Sequence, residues 1–209
     1  MRLKIVQIGE AALRQRARPL TADEIRLPST QLLIEMMRET MRDAPGVGLA
    51  APQVGLSLQL AVIEDRLEYM RDIPPAHLAE RERVPVPFHV IINPRITATS
   101  DDQVEHFEGC LSVAGFVAAV SRHVAVRVEY LNERAEPAVI DARGWYARIL
   151  QHEIDHLNGT IYIDRMDPRT FMTLENYGRY WKDRSVQAVR ETPLVAPNQE
   201  ALSGPSMPP

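Results

Sequence analysis

A single cysteine in 209 residues leaves the chain unable to form an internal disulfide, which suits a reducing compartment. No stretch approaches the ~20 consecutive apolar residues that carry a helix across a bilayer. The opening Met-Arg-Leu-Lys-Ile-Val-Gln-Ile-Gly-Glu has no long apolar core before a small-residue cleavage site, so no export signal is read there and a cytoplasmic location is expected. Positive charge is not in excess, with 24 Lys and Arg against 28 Asp and Glu. A formal net charge of −4 and a pI near 5.9 are the wrong balance for neutralising a phosphate backbone, and sequence-specific nucleic-acid binding is not expected. Internal repeats are absent. What the chain does have is 45% hydrophobic residues over a length that buries one sizeable core. One domain is expected over residues 1–190, with a surface insertion near 64–87 and a proline-rich tail over 191–209 that holds five of the sixteen prolines.

Along the chain, the first twenty residues read as an extended arm. Leu32, Leu33, Met36, Met37 and Met41 then recur at helical spacing within 31–42, and the helix is broken by Ala44-Pro45-Gly46-Val47-Gly48. Branched apolar runs predict strands over 58–63, 88–92, 116–120 and 124–131. Between 64 and 83 the chain is charged and proline-containing and reads as a solvated excursion. Trp145, Ile149, Leu150 and Ile154 place a largely buried helix over 144–157, stopped by Asn158-Gly159. A last amphipathic helix is expected between 170 and 182.

That buried helix carries the strongest chemical signal, His152-Glu153-Ile154-Asp155-His156. Histidines four apart project from one helix face and can share a metal ion, and Glu153 beside the first can act as general base on a water. Cys110, in Glu108-Gly109-Cys110-Leu111-Ser112, is the natural third ligand of an open catalytic site. Taken alone it reads first as a buried small side chain, and half of a Cys-His nucleophile pair is a further alternative. The pair leaves one histidine and Glu153 without a role, and a closed structural site needs a fourth protein ligand. A third segment, Gly46-Val47-Gly48-Leu49-Ala50-Ala51-Pro52-Gln53, is compact enough to bring backbone close to a ligand and ends in a side-chain amide able to stabilise an oxyanion.

The three segments, in this order, resemble the hallmarks of the peptide deformylase family, and the likeness runs from about residue 3 to about residue 183. The surrounding Trp145-Tyr146-Ala147-Arg148-Ile149-Leu150-Gln151 is similar to a branch that includes organelle as well as bacterial forms. The resemblance implies an α+β fold with antiparallel strands around a central metal-binding helix. It implies a hydrolase that removes the formyl group from formyl-methionine of new polypeptides, in transient contact with the ribosome. It assigns Cys110, His152 and His156 to one divalent ion, Fe2+ as the native ion with Zn2+, Ni2+ or Co2+ able to replace it. Glu153 becomes the base, and the Gln53 amide and Leu111 N–H the oxyanion donors.

By the same resemblance Val47, Gly48, His106, Glu108, Gly109, Trp145 and Ile149 surround the substrate, with Val47, His106, Trp145 and Ile149 around the methionine side chain. Arg122 supports Glu108. The thiolate cancels one of the ion's two charges, so water beside it is acidified less and Glu153 carries more of the proton handling. One departure stands out: the family commonly continues Leu-Ser-Val-Pro-Gly, and here Ala114 takes the place of that proline. The change relaxes a backbone constraint without removing a ligand, donor or base. A zinc endopeptidase, which would place its third ligand after His156, and a metal-retaining binding module without turnover are the competing readings.

Overall fold

The computed structural model describes residues 2–191. The tail expected over 191–209 therefore lies, beyond Glu191, outside the described residues. After α1 (Ala22–Arg26), α2 (Pro28–Asp43) opens with proline in its first turn, where no intrahelical N–H is needed. Its buried face is Leu33, Ile34, Met37 and Met41, while Leu32 is 59% exposed, so the face is rotated from the one expected from spacing. Ile34 fills the stripe that Leu32 leaves, because the i, i+3, i+7 series of 34, 37 and 41 is the one that meets the sheet.

Strands β1 (Gly48–Ala50), β2 (Leu60–Asp65) and β3 (Val86–Thr99) pair antiparallel, with helix α3 (Pro75–Glu80) between the last two in sequence. Strands β4 (Gln103–Cys110) and β5 (Val113–His123) form a second sheet, to which the short β8 (Met172–Thr173) adds. β6 (Ala125–Leu131) and β7 (Pro137–Arg143) complete the first sheet in the order β1-β2-β3-β6-β7. Helix α4 (Gly144–Leu157) occupies the bounds expected from sequence. All named strand pairs are antiparallel. This is the α+β arrangement that was expected.

β2 is buried along its whole length because both faces of its sheet are covered. Leu60 and Val62 point to α2 with Val90 and Ile92, while Ala61 and Ile63 point to α4 with Ile91, Val126 and Val128. Period-two alternation thus splits one strand between two cores. Helix α4 presents Ala147, Leu150, Ile154 and Leu157 to the five-stranded sheet. Its polar face is left toward the β4–β5 sheet.

Residues 64–83 differ from the solvated excursion expected. Asp65 is buried and takes a two-point ion pair from Arg83 at 2.8 and 2.9 Å, and Met70 is buried as well. The segment folds back so that the Arg81 and Arg83 guanidiniums each lie 5.3 Å from the Trp145 ring, and Arg81 C=O accepts the Trp145 N–H. The single helix expected over 170–182 is instead β8, one turn at Leu174–Asn176 and a π-helical turn at Tyr177–Trp181, none with a buried residue. No helix among the described residues is long and apolar enough to cross a membrane.

The entry into α4 depends on Gly144, at φ +59°, where an added Cβ would lie 2.5 Å from Glu82 Cβ and 2.7 Å from Arg81 C=O. Gly144→Ala is expected to lower the unfolding free energy by at least about 1–2 kcal/mol, the cost of a left-handed alanine before any clash is added. Urea denaturation followed by circular dichroism measures it.

Candidate functional site

Helix α4 and strand β4 meet at the polar face of the helix. Cys110 ends β4, and its Sγ lies 3.2 Å from His156 Nε2. Cys110 Sγ and one nitrogen from each of His152 and His156 lie within 4.8 Å of one another, the one such cluster among the described residues. Metal bonds of about 2.0–2.3 Å can join donors at that separation, and thiolate with two imidazoles is a borderline-soft set suited to Fe2+, Zn2+, Ni2+ or Co2+. The residues therefore fit a divalent ion. The third donor precedes the helix, against the endopeptidase arrangement.

The imidazole of His152 is aimed by Glu108, which accepts its Nδ1–H at 2.9 Å and leaves Nε2 for the cluster. Glu108 also receives Arg122 at 2.8 and 2.9 Å and Arg148 Nη1 at 2.5 Å. Burial works against the charged carboxyl, but the hydrogen bonds from Arg122 and His152 outweigh it and hold its pKa far below the usual carboxylate range. The Glu108–Arg122 pair is not a solvated one, since the two side chains are 4% and 3% exposed. Asp155 extends the network, accepting from Arg122 at 2.5 Å and from Arg165 at 2.8 and 2.9 Å.

Glu153, next to His152 in sequence, has its Oε2 buried and without a hydrogen-bond partner. Burial pushes its pKa up to about 7, the range in which a carboxyl both takes up and releases a proton at neutral pH. Gly48 makes room for it, because a Cβ there would collide with the Glu153 carboxylate. Gln53 is buried and its orientation is set: Oε1 accepts the Ala50 N–H at 2.8 Å, so the NH2 group turns toward Cys110 Sγ, 3.5 Å away. The Ser112 N–H also donates to Cys110 Sγ, at 3.4 Å.

These groups open onto a cavity of about 420 Å³. Val47, Gly48, Gln53, Glu108, Gly109, Cys110, Leu111, Trp145, Ile149, His152 and Glu153 all line it. His106, expected there, does not. Its ring packs edge-on against Trp145, 6.2 Å between centroids, and borders a separate polar cleft with His77, Arg81 and Tyr177. Burial, with the positive charges of Arg148 and Arg81, pushes its pKa down to about 4. Sequence reasoning had no role for Arg148, or for Phe107, Phe116 and Leu174 in the cavity wall. Arg148 was detectable, since 148, 152 and 156 form one i, i+4 row; the others come from β4, β5 and the turns after β8, which only folding brings together.

The fold and site define an α+β protein with a cysteine–dihistidine cluster able to hold a divalent ion and an adjacent carboxylate. The chain belongs to the polypeptide deformylase family, whose model matches residues 2–172. It is 46% identical over 172 residues to peptide deformylase 1A, chloroplastic, of Solanum lycopersicum, covering 82% of this chain and 62% of the tomato protein. Peptide deformylase 1 of Bifidobacterium longum is 44% identical, covering 86% of this chain and 79% of that one. A Met-Ala-Ser-bound crystal structure of class I type b peptide deformylase from Acinetobacter baumannii superposes with a TM-score of 0.71 at 32% identity, covering 79% of this chain and 99% of that one. The chain spans less than two thirds of the tomato relative's length.

If Cys110 is a ligand, Cys110→Ala leaves two imidazoles and loses most of the bound divalent ion. Metal analysis of protein purified without oxygen, beside a circular dichroism spectrum that shows the fold intact, checks this.

Proposed function

We propose that this chain is a metal-dependent hydrolase that removes the formyl group from the N-terminal formyl-methionine of newly made polypeptides and releases formate. The observation that carries the reading is the meeting, at one cavity, of Cys110 and His152, whose cluster His156 completes, with the unpartnered Glu153 carboxylate and the oriented Gln53 amide.

Cys110, His152 and His156 would hold the ion, with Fe2+ proposed as native. When bound, such an ion supplies Lewis acidity and acidifies water. Glu153 takes the proton from the attacking water and returns it to the amine nitrogen as the C–N bond breaks. The negative charge that builds on the formyl oxygen is met by the Gln53 NH2 and the Leu111 N–H, both fixed before reaction. Glu108 keeps His152 in one tautomer and one orientation, and Arg122 keeps Glu108 in place.

A formyl carbon carries hydrogen where an internal amide carries a chain, so a closely walled attack site admits the first and rejects the second. Val47, Trp145 and Ile149 give the cavity an apolar wall that suits the methionine side chain, while Gly48 and Gly109 let substrate backbone approach. Formylated nascent chains and a free thiolate ligand both belong to a reducing compartment where translation occurs. The cytoplasm is accordingly proposed, with a transient ribosome contact as a corollary.

The test is formate release from a formyl-Met peptide, against an unformylated peptide and casein, with anaerobically prepared enzyme. Turnover of the first alone is expected; casein cleavage, or metal without turnover, would replace the reading. In the same assay Gln53→Ala is expected to lower kcat by about 10²–10³-fold with metal content unchanged.

A further inference from the structure

The two oxyanion donors of the proposed reaction sit on separate segments, Gln53 in the 3-10 turn Ala51–Val54 and Leu111 in the turn after β4. Three consecutive residues of the N-terminal arm grip both. The Val6 N–H donates to Gln53 C=O at 2.9 Å, and the Ile8 N–H donates to Ser112 C=O at 2.8 Å. Between them, Gln7 Nε2 donates to Leu111 C=O at 2.9 Å, and Gln7 Oε1 accepts the Ala114 N–H at 3.1 Å. One side chain therefore bridges the two ends of the 111–114 loop.

The Leu111–Ser112 peptide unit is tied at both of its polar atoms. Its C=O accepts from Gln7, and its N–H donates to Cys110 Sγ. Rotation of this unit, which would tilt the neighbouring Leu111 N–H and free the sulfur from a donor, breaks both bonds. The bond to Ala114 exists because residue 114 is not proline, which has no N–H. A proline would stiffen the loop through its ring; alanine leaves φ free but supplies a donor, and Gln7 uses it.

We infer that Gln7 is a positioning residue for the oxyanion pocket, clamping the Leu111–Ala114 loop in place of a loop proline and, with Val6 and Ile8, setting the spacing between the Leu111 and Gln53 donors. It acts through the loop and not on substrate: Gln7 is exposed and does not line the cavity. The inference rests on the deformylase reading for its catalytic consequence, and on the hydrogen bonds alone for the clamp.

The experiment uses the metal-loaded full chain. Gln7→Ala is expected to lower kcat on a formyl-Met peptide by about five- to tenfold with KM changed less than about twofold, the signature of misplaced transition-state donors. Amide hydrogen exchange across 111–114 is expected to speed up by a similar factor. Gln7→Glu, which keeps the acceptor for Ala114 but loses the donor to Leu111, falls between. Adding Ala114→Pro to Gln7→Ala is expected to bring kcat back to within about twofold of the parent, because the ring restores the restraint. Unchanged kcat and exchange in Gln7→Ala would overturn the clamp, and a double variant no faster than the single would overturn its equivalence to the proline. Parent enzyme that releases no formate would instead overturn the deformylase reading, with the exchange comparison still deciding the clamp.

Discussion

The structure turns on one buried carboxylate. Glu108, with a 4% exposed side chain, is shared by Arg122 from β5 and by Arg148 and His152 from α4. Removing these charges from water costs several kcal/mol per ion, so the cluster is a poor source of net stability. It is a strong constraint on geometry, because any member that moves takes a hydrogen-bonded partner away from a buried charge. Arg148 extends the constraint by donating to Val120 C=O and Val104 C=O, which ties the helix to the backbone of both long strands of the second sheet.

Around that constraint the two sheets divide the labour. The five-stranded sheet takes the apolar side of α4 and sets the helix's depth. The three-stranded sheet takes its polar side and delivers Cys110 at the end of β4. Gln151 locks the relation between them, accepting the His123 N–H and donating to the His123 C=O. The Cys110–His152–His156 cluster therefore lies at a seam, where a strand and a helix contribute different donor atoms. A site built on helix and strand holds its geometry more closely than one built on loops.

The side of the cavity proposed to hold the oxyanion is made differently, from turns. Gln53 and Leu111 sit on short irregular segments whose backbone would be free to drift, and the N-terminal arm supplies the missing restraint through the hydrogen bonds of Val6, Gln7 and Ile8. Trp145 is braced in a comparable way by Arg81 and Arg83, so the charged segment read as a surface excursion also supports the cavity wall. The acidic partner that holds Arg83 in place, Asp65, is buried for that reason.

Sequence by itself determined the elements whose physics is local. The period of Trp145, Ile149, Leu150 and Ile154 set α4, Gly159 at φ +76° ended it, and the i, i+4 spacing of His152 and His156 put two donors on one face. The resemblance of three motifs supplied the family. Tertiary structure alone decided the rest. β4 was illegible because its inward residues, Glu108 and Cys110, are polar where a strand pattern expects apolar ones, and they are polar because they serve the site. His106 falls outside the cavity because its neighbours across the fold, not its place on the strand, decide what its ring meets. Gln7 has no local signature at all: its partners lie 104 and 107 residues away. Periodicity reports what a residue does to its own helix or strand, whereas a hydrogen bond across the fold exists only after the chain has brought its two ends together.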